Sequence, residues 1–73
     1  MMMIRVYDND DNDTGIWHEE IDAHAHELVW SAAMSVSDVY SVGLDILRTT
    51  PTSGGFAADD GTTYRYEIQE TNR

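Results

Sequence analysis

The charge balance of this chain limits its fold more than any other feature. Fourteen aspartates and glutamates stand against four arginines and no lysine in 73 residues, a formal net charge of −10. Like charges crowded on a small body repel and weaken the compact state, and they also create a field that steers partners of opposite sign. A single domain of this length buries only about 60% of the surface its unfolded chain exposes, so it has little stability to spare against that repulsion. Its expected radius of gyration is roughly 11 Å. There is no cysteine, which removes disulfides and thiolate metal sites and fits the cytoplasm. The support left to so short a chain is homodimer formation or docking on a partner.

The charge also narrows function. Direct nucleic-acid binding needs lysine and arginine on phosphates, and anionic membrane surfaces need the same. No apolar run approaches the ~18–20 residues of a membrane span. Met1, Met2 and Met3 lead into a β-like run, not a signal peptide. Hydrophobic residues make up 41% of the chain, with two tryptophans and four tyrosines. That suffices for a small core and argues against disorder.

Met2, Ile4 and Val6 alternate with Met3, Arg5 and Tyr7, which predicts a strand over 2–8. The run Asp8-Asn9-Asp10-Asp11-Asn12-Asp13 favours turns, because short polar side chains compete for backbone hydrogen bonds. A short strand is expected over 15–20. Asp22 is an apt N-cap, and Ala25, Leu28, Val29, Ala32 and Ala33 share one helical face, predicting a helix over 22–34. Ser35 with Asp38 reads as a capping box, and Val36, Val39, Tyr40, Gly43, Leu44 and Leu47 repeat the spacing. A second helix over 36–48 follows, with Arg48 in its last turn. Residues 49–55 read as a linker. Phe56 and Ala58, an Asp60-Gly61 type I′ turn and a strand over 62–69 complete a hairpin. The expected fold is α+β: a small antiparallel sheet, from an N-terminal strand or hairpin and a C-terminal hairpin, with two helices on one face.

Asp8, Asp10, Asn12 and Glu19 fall at calcium-loop positions one, three, five and twelve, but Asp13 stands where that loop requires glycine. His18, Asp22 and His26 would stack for a divalent metal only if the helix began early. Neither pattern defines a metal site, and no cofactor is expected. The histidines read instead as groups near carboxylates that gain charge below about pH 6.5. There is no cysteine or lysine nucleophile, phosphate loop or G-x-S-x-G, and 73 residues seldom enclose a dry pocket. No enzyme is expected. Trp17, Trp30 and Tyr40 read as core. Tyr7, Tyr64 and Tyr66 become interface candidates if the sheet has an open face.

Three explanations of the charge remain. An acidic plug could occupy a basic nucleic-acid-binding groove. A duplex as long as this domain's ~28 Å diameter carries about 16 charges, a density matched only if the carboxylates gather on one side. Asp8, Asp10, Asp11, Asp13, Glu19, Glu20 and Asp22 put seven acids in fifteen residues. The expected contact surface is Asp8, Asp10, Asp11, Asp13, Glu19 and Glu20, with Asp59 and Asp60 as a second patch. Alternatively, aspartate outnumbers glutamate nine to five, lysine is absent and threonine plentiful, as suits a protein working in concentrated salt, where the Debye length shrinks to ~3 Å at 1 M. A small acidic adaptor or regulatory protein is the third.

A tiny, acidic, cysteine-free α+β chain resembles, as a class, the anti-CRISPR and anti-restriction inhibitors of bacteriophages. Ile4-Arg5-Val6-Tyr7 followed by Gly15-Ile16-Trp17 is similar to the opening of anti-restriction DNA mimics, where a strand leads to a Gly-x-Trp turn. The resemblance implies a viral inhibitor in the host bacterial cytoplasm. It would block DNA binding by a CRISPR interference complex without catalysis.

Overall fold

The computed structural model describes residues 1–21 and 24–70. Strand β1 (Met2–Tyr7) turns into β2 (Asp13–Glu20); helix α1 (Ala25–Tyr40) follows; β3 (Leu44–Thr50), β4 (Ser53–Ala58) and β5 (Thr63–Glu70) complete the chain. The strands form one sheet in the order β2-β1-β5-β4-β3, and every pairing is antiparallel. The helix connects one edge strand to the other across one sheet face. The radius of gyration is 11.5 Å. No described helix is long and apolar enough to cross a membrane.

Period-2 alternation sorts the strands into two faces. Ile4 lies opposite Ile68 and His18, and Val6 lies opposite Tyr66. These residues, with Tyr64 and Phe56, face α1. The helix answers with Leu28, Val29, Ala32, Ala33 and Val36, all buried. Its alanines let the backbone approach the sheet closely, and each fully buried leucine- or valine-sized side chain stabilises by about 1.5–3 kcal/mol. The other sheet face is open. It carries Met3, Arg5, Tyr7, Trp17, Arg65 and Leu47.

The α+β class stands, but there is one helix where two were expected. Residues 36–40 continue α1, and 44–48 belong to β3. Ser41 takes a left-handed conformation (φ 55°), and Val42 N–H bonds Ser37 O at 3.2 Å. The Ser37 hydroxyl donates to Val42 O at 2.6 Å. The first bond satisfies one of the orphan carbonyls that end a helix, and the second ties the last turn to the chain beyond it. Ser35 therefore sits mid-helix, with its hydroxyl on His18 Nε2 at 2.8 Å, and no capping box forms there. His24 is the N-cap residue, without a side-chain cap bond; the expected cap Asp22 lies outside the described residues. Arg48 lies in β3, not in a last helical turn. The expected 49–55 linker is instead the end of β3, the two-residue turn of the β3–β4 hairpin and the start of β4.

Gly54 and Gly55 permit that strand. A Cβ on Gly54 would lie 2.6 Å from the Tyr66 hydroxyl and would strike Leu47 O. Glycine is required here because the Tyr66 ring crosses directly over the β4 backbone.

Candidate functional site

Two hairpin loops meet at one end of the sheet. In the β1–β2 loop, Asp8 N–H bonds Asn12 O at 2.8 Å and Asp11 N–H bonds Asp8 O at 3.0 Å. In the β4–β5 loop, Ala58 N–H bonds Thr62 O at 2.8 Å and Gly61 N–H bonds Ala58 O at 3.1 Å. The two loops share one geometry, with a left-handed residue at the fourth position: Asp11 (φ 62°) and Gly61 (φ 89°). This is a type I turn followed by a left-handed bulge residue, not the two-residue type I′ turn expected at Asp60-Gly61. The Thr63 hydroxyl donates to Asn9 Oδ1 at 2.9 Å, tying the loops together.

Asp8, Asp10, Asp11, Asp13, Asp59 and Asp60 therefore share one rim. Asp45, not singled out in the sequence, begins β3 at the same end, opposite Ala57. Glu19 and Glu20 do not join them. They pair with Met3 and Met2 at the far end of β1, where Glu70 also lies opposite Met2. The eight acidic residues expected to form contact surfaces are thus divided between the two ends of the sheet.

Half of the rim carboxylates also hold turns. Asp8 Oδ1 accepts from the N–H groups of Asp10 and Asn12, both at 2.9 Å. Asp13 Oδ1 accepts from Gly15 N–H and Asp60 Oδ1 from Thr62 N–H, both at 2.8 Å. Backbone donation from Thr62 holds the exposed Asp60 carboxyl below its usual range. Two carboxylates fold back onto arginines of the open face. Asp11 pairs with Arg65 at 3.1 Å, and Asp13 lies 3.9 Å from Arg5. Arg65 also binds Glu67 and stacks over Tyr7, 4.5 Å from its ring centre. The hydrogen bonds that Arg65 donates to Glu67 and then to Asp11 raise its pKa above the usual value. Among the described residues, no side-chain bond or ion pair engages the exposed carboxylates of Asp10 and Asp59.

The other candidates sort clearly. The twelve-residue calcium loop does not form, because Asp8–Asn12 closes as a hairpin turn and Glu19 lies at the opposite end of β2. Gly15 (φ 79°) accommodates a bulge in β2 where a Gly-x-Trp turn was expected. His18 faces the helix, His24 stacks on His26 at 5.7 Å, and Asp22 lies outside the described residues. Among the described residues no three His, Cys, Asp or Glu side chains gather as a metal site. Tyr64 and Tyr66 are buried, not on an open face; burial pushes the Tyr64 phenol up from 10.0. Tyr40, also expected in the core, is exposed, with its ring stacked on Tyr64 at 5.1 Å. Trp17 and Trp30, expected in the core, are 58% and 61% exposed.

Trp30 marks a feature that sequence reasoning missed. The helix packs over β1 and β2 and scarcely over β3, leaving an open groove of about 410 Å³ lined by Trp30, Ala33, Met34, Ser37, Leu44, Asp45 and Ile46. The available signal was Trp30 and Met34, one turn apart and off the buried stripe. No protein-family model, curated protein or solved structure matches this chain.

Proposed function

We propose that this chain is a small protein-binding module, regulatory or adaptor in role, whose acidic surface is an adaptation to concentrated salt and which has no catalysis of its own. The observation carrying this reading is the distribution of the acids. The thirteen described carboxylates lie on the rim, at the far end of β1 and β5, on α1, on edge strand β3 and on the open face, and none is buried. A one-sided groove plug needs them gathered. A surface acting through hydration and mutual repulsion needs them spread. At about 0.15 M salt, with a Debye length near 8 Å, each carboxylate feels several others on a body 38 × 21 × 20 Å. At about 1 M, with a length near 3 Å, only its neighbours remain.

Circular dichroism against KCl tests this. The folded fraction should rise steeply between about 0.15 and 1 M. A fully folded protein at the low end, unaffected by added salt, would remove the proposal.

The convergent Asp rim supports a second reading: an acidic contact with a basic surface, in the narrower case an anti-CRISPR inhibitor that blocks DNA binding. Asp10→Arg with Asp59→Arg is the suitable variant, since it spares the carboxylates that hold turns and ion pairs. Loss of capture of a nucleic-acid-handling complex by the folded variant would favour the rim. Equal capture by variant and wild type would discard it.

A further inference from the structure

We propose that the open sheet face over β4 is the docking surface for an extended basic segment of a protein partner, held by one arginine between Asp45 and Asp59. This rests on the protein-binding reading and names its surface and its partner's chemistry. On this face β4 presents only Ser53, Gly55 and Ala57, small residues between the taller side chains of β3 and β5. Leu47 and Arg65 flank Gly55, and Asp45 and Thr63 flank Ala57. The result is a trough one strand wide, its walls two strand spacings or about 9–10 Å apart. That width admits an extended chain but not a helix, which is about 10–12 Å across with its side chains.

At the rim end the trough deepens into a cleft of about 300 Å³, and the register explains its shape. Gly43 lies opposite Asp59, whose N–H bonds Gly43 O at 2.9 Å, and Asp45 lies opposite Ala57. Two carboxylates therefore occupy one diagonal of a four-residue square, and two small residues occupy the other. Diagonal neighbours on one face of an antiparallel pair are about 7–8 Å apart. A planar guanidinium lying between them donates to both carboxylates, whereas a compact ammonium reaches one.

Charge complementarity selects the occupant. The arginines of the open face are already neutralised by neighbouring acids: Arg5 lies against Asp13, and Arg65 binds Asp11 and Glu67. Among the described residues no cation pairs with Asp45 or Asp59. The uncompensated charge beside β4 is therefore negative, and it sits at the cleft. Leu47, 58% exposed, stands one row further along the trough, about 7 Å from Asp45. Residues i and i+2 of an extended segment keep the same spacing, so the partner carries an apolar residue two positions from its arginine.

Fluorescence anisotropy of a labelled Thr-Leu-Thr-Arg-Thr-Leu-Thr peptide tests the site, with the full chain in the lowest KCl at which circular dichroism shows it folded. Saturable binding is expected below about 1 mM protein. Citrulline in place of the arginine keeps the shape, removes the charge and should weaken binding at least tenfold. Asp45→Asn with Asp59→Asn should do the same. So should Ala57→Leu, which fills the trough and leaves both carboxylates in place. Glu27→Gln with Asp38→Asn removes as much charge from α1 and should bind as wild type. Should one trough variant unfold, the other decides. A folded chain that captures no peptide at about 1 mM, or that loses as much affinity through the α1 pair as through the cleft pair, overturns the proposal. The circular dichroism titration judges the salt reading separately, so a salt-dependent fold that ignores the peptide refutes the docking surface alone.

Discussion

Gly54→Ala tests the packing that holds β4 between Tyr66 and β3. The new methyl would sit 2.6 Å from the Tyr66 hydroxyl and 2.7 Å from Tyr66 Cε2, and it would also collide with Leu47 O. The tyrosine is 1% exposed and stacked on Phe56 at 5.2 Å, so its ring has nowhere to swing. Leu47 O is backbone on the neighbouring strand, so relief requires β3 to move away from β4. Overpacking of this kind costs about 1–3 kcal/mol where side chains can adjust; two fixed obstacles place this substitution at about 3 kcal/mol or above. A chain of this length holds roughly 4–11 kcal/mol in all, so a large share would go. Urea titration in constant KCl reads the loss as a lower midpoint. Gly43→Ala is the control. Its methyl meets only the Asp59 carboxylate, at 3.1 Å, which is flexible and exposed, and the cost should stay below about 1 kcal/mol. Equal midpoints for the two variants would refute the packing argument.

Tyr66→Phe should leave stability unchanged or raise it by up to about 1 kcal/mol, because the Tyr66 hydroxyl is buried with no hydrogen-bond partner among the described residues; a lowered urea midpoint would show that the hydroxyl is satisfied. Asp11→Gly should stabilise by about 0.5–1 kcal/mol, since a left-handed conformation costs a non-glycine residue more than a surface ion pair with Arg65 returns; thermal melting gives the sign. Burial holds the Tyr64 phenol above 10.0, so the folded state keeps a proton that the unfolded state surrenders. Its contribution is whole below pH 10 and is lost as pH rises beyond. Tyr64→Phe should flatten the fall in melting temperature above pH 10, and an unchanged slope would assign that fall to other groups.

The elements legible in the sequence were those whose signal is local. Strands β1 and β2 follow from alternation and the Asp/Asn turn, β5 from Tyr64, Tyr66 and Ile68. The buried side of α1 follows from Leu28, Val29, Ala32 and Ala33. The phantom second helix arose at Leu44 and Leu47, which continue a helical spacing from Val36 and Val39 by coincidence. Leu44 and Ile46 alternate with Asp45 just as well, and the decisive stop is the left-handed Ser41. β4 was hidden because Gly54-Gly55 imitates a linker; the reason for glycine is the Tyr66 ring, which no local window contains. The site was half legible. Turn chemistry marked Asp8–Asp13 and Asp59–Asp60, but their convergence depends on β1 pairing with β5. The pairing of β2 with β1 sends Glu19 and Glu20 to the opposite end. The exposure of Trp17 and Trp30 depends on where α1 lies across the sheet.

The central claim is that spread acidic charge is tolerated because salt screens it, and a urea midpoint measured at 0.15, 1 and 3 M KCl tests it most directly. The account predicts a midpoint that climbs with salt, and a smaller climb in a variant with Asp10, Glu20 and Asp59 amidated to Asn, Gln and Asn. A midpoint independent of salt, or a climb identical in that variant, would contradict it.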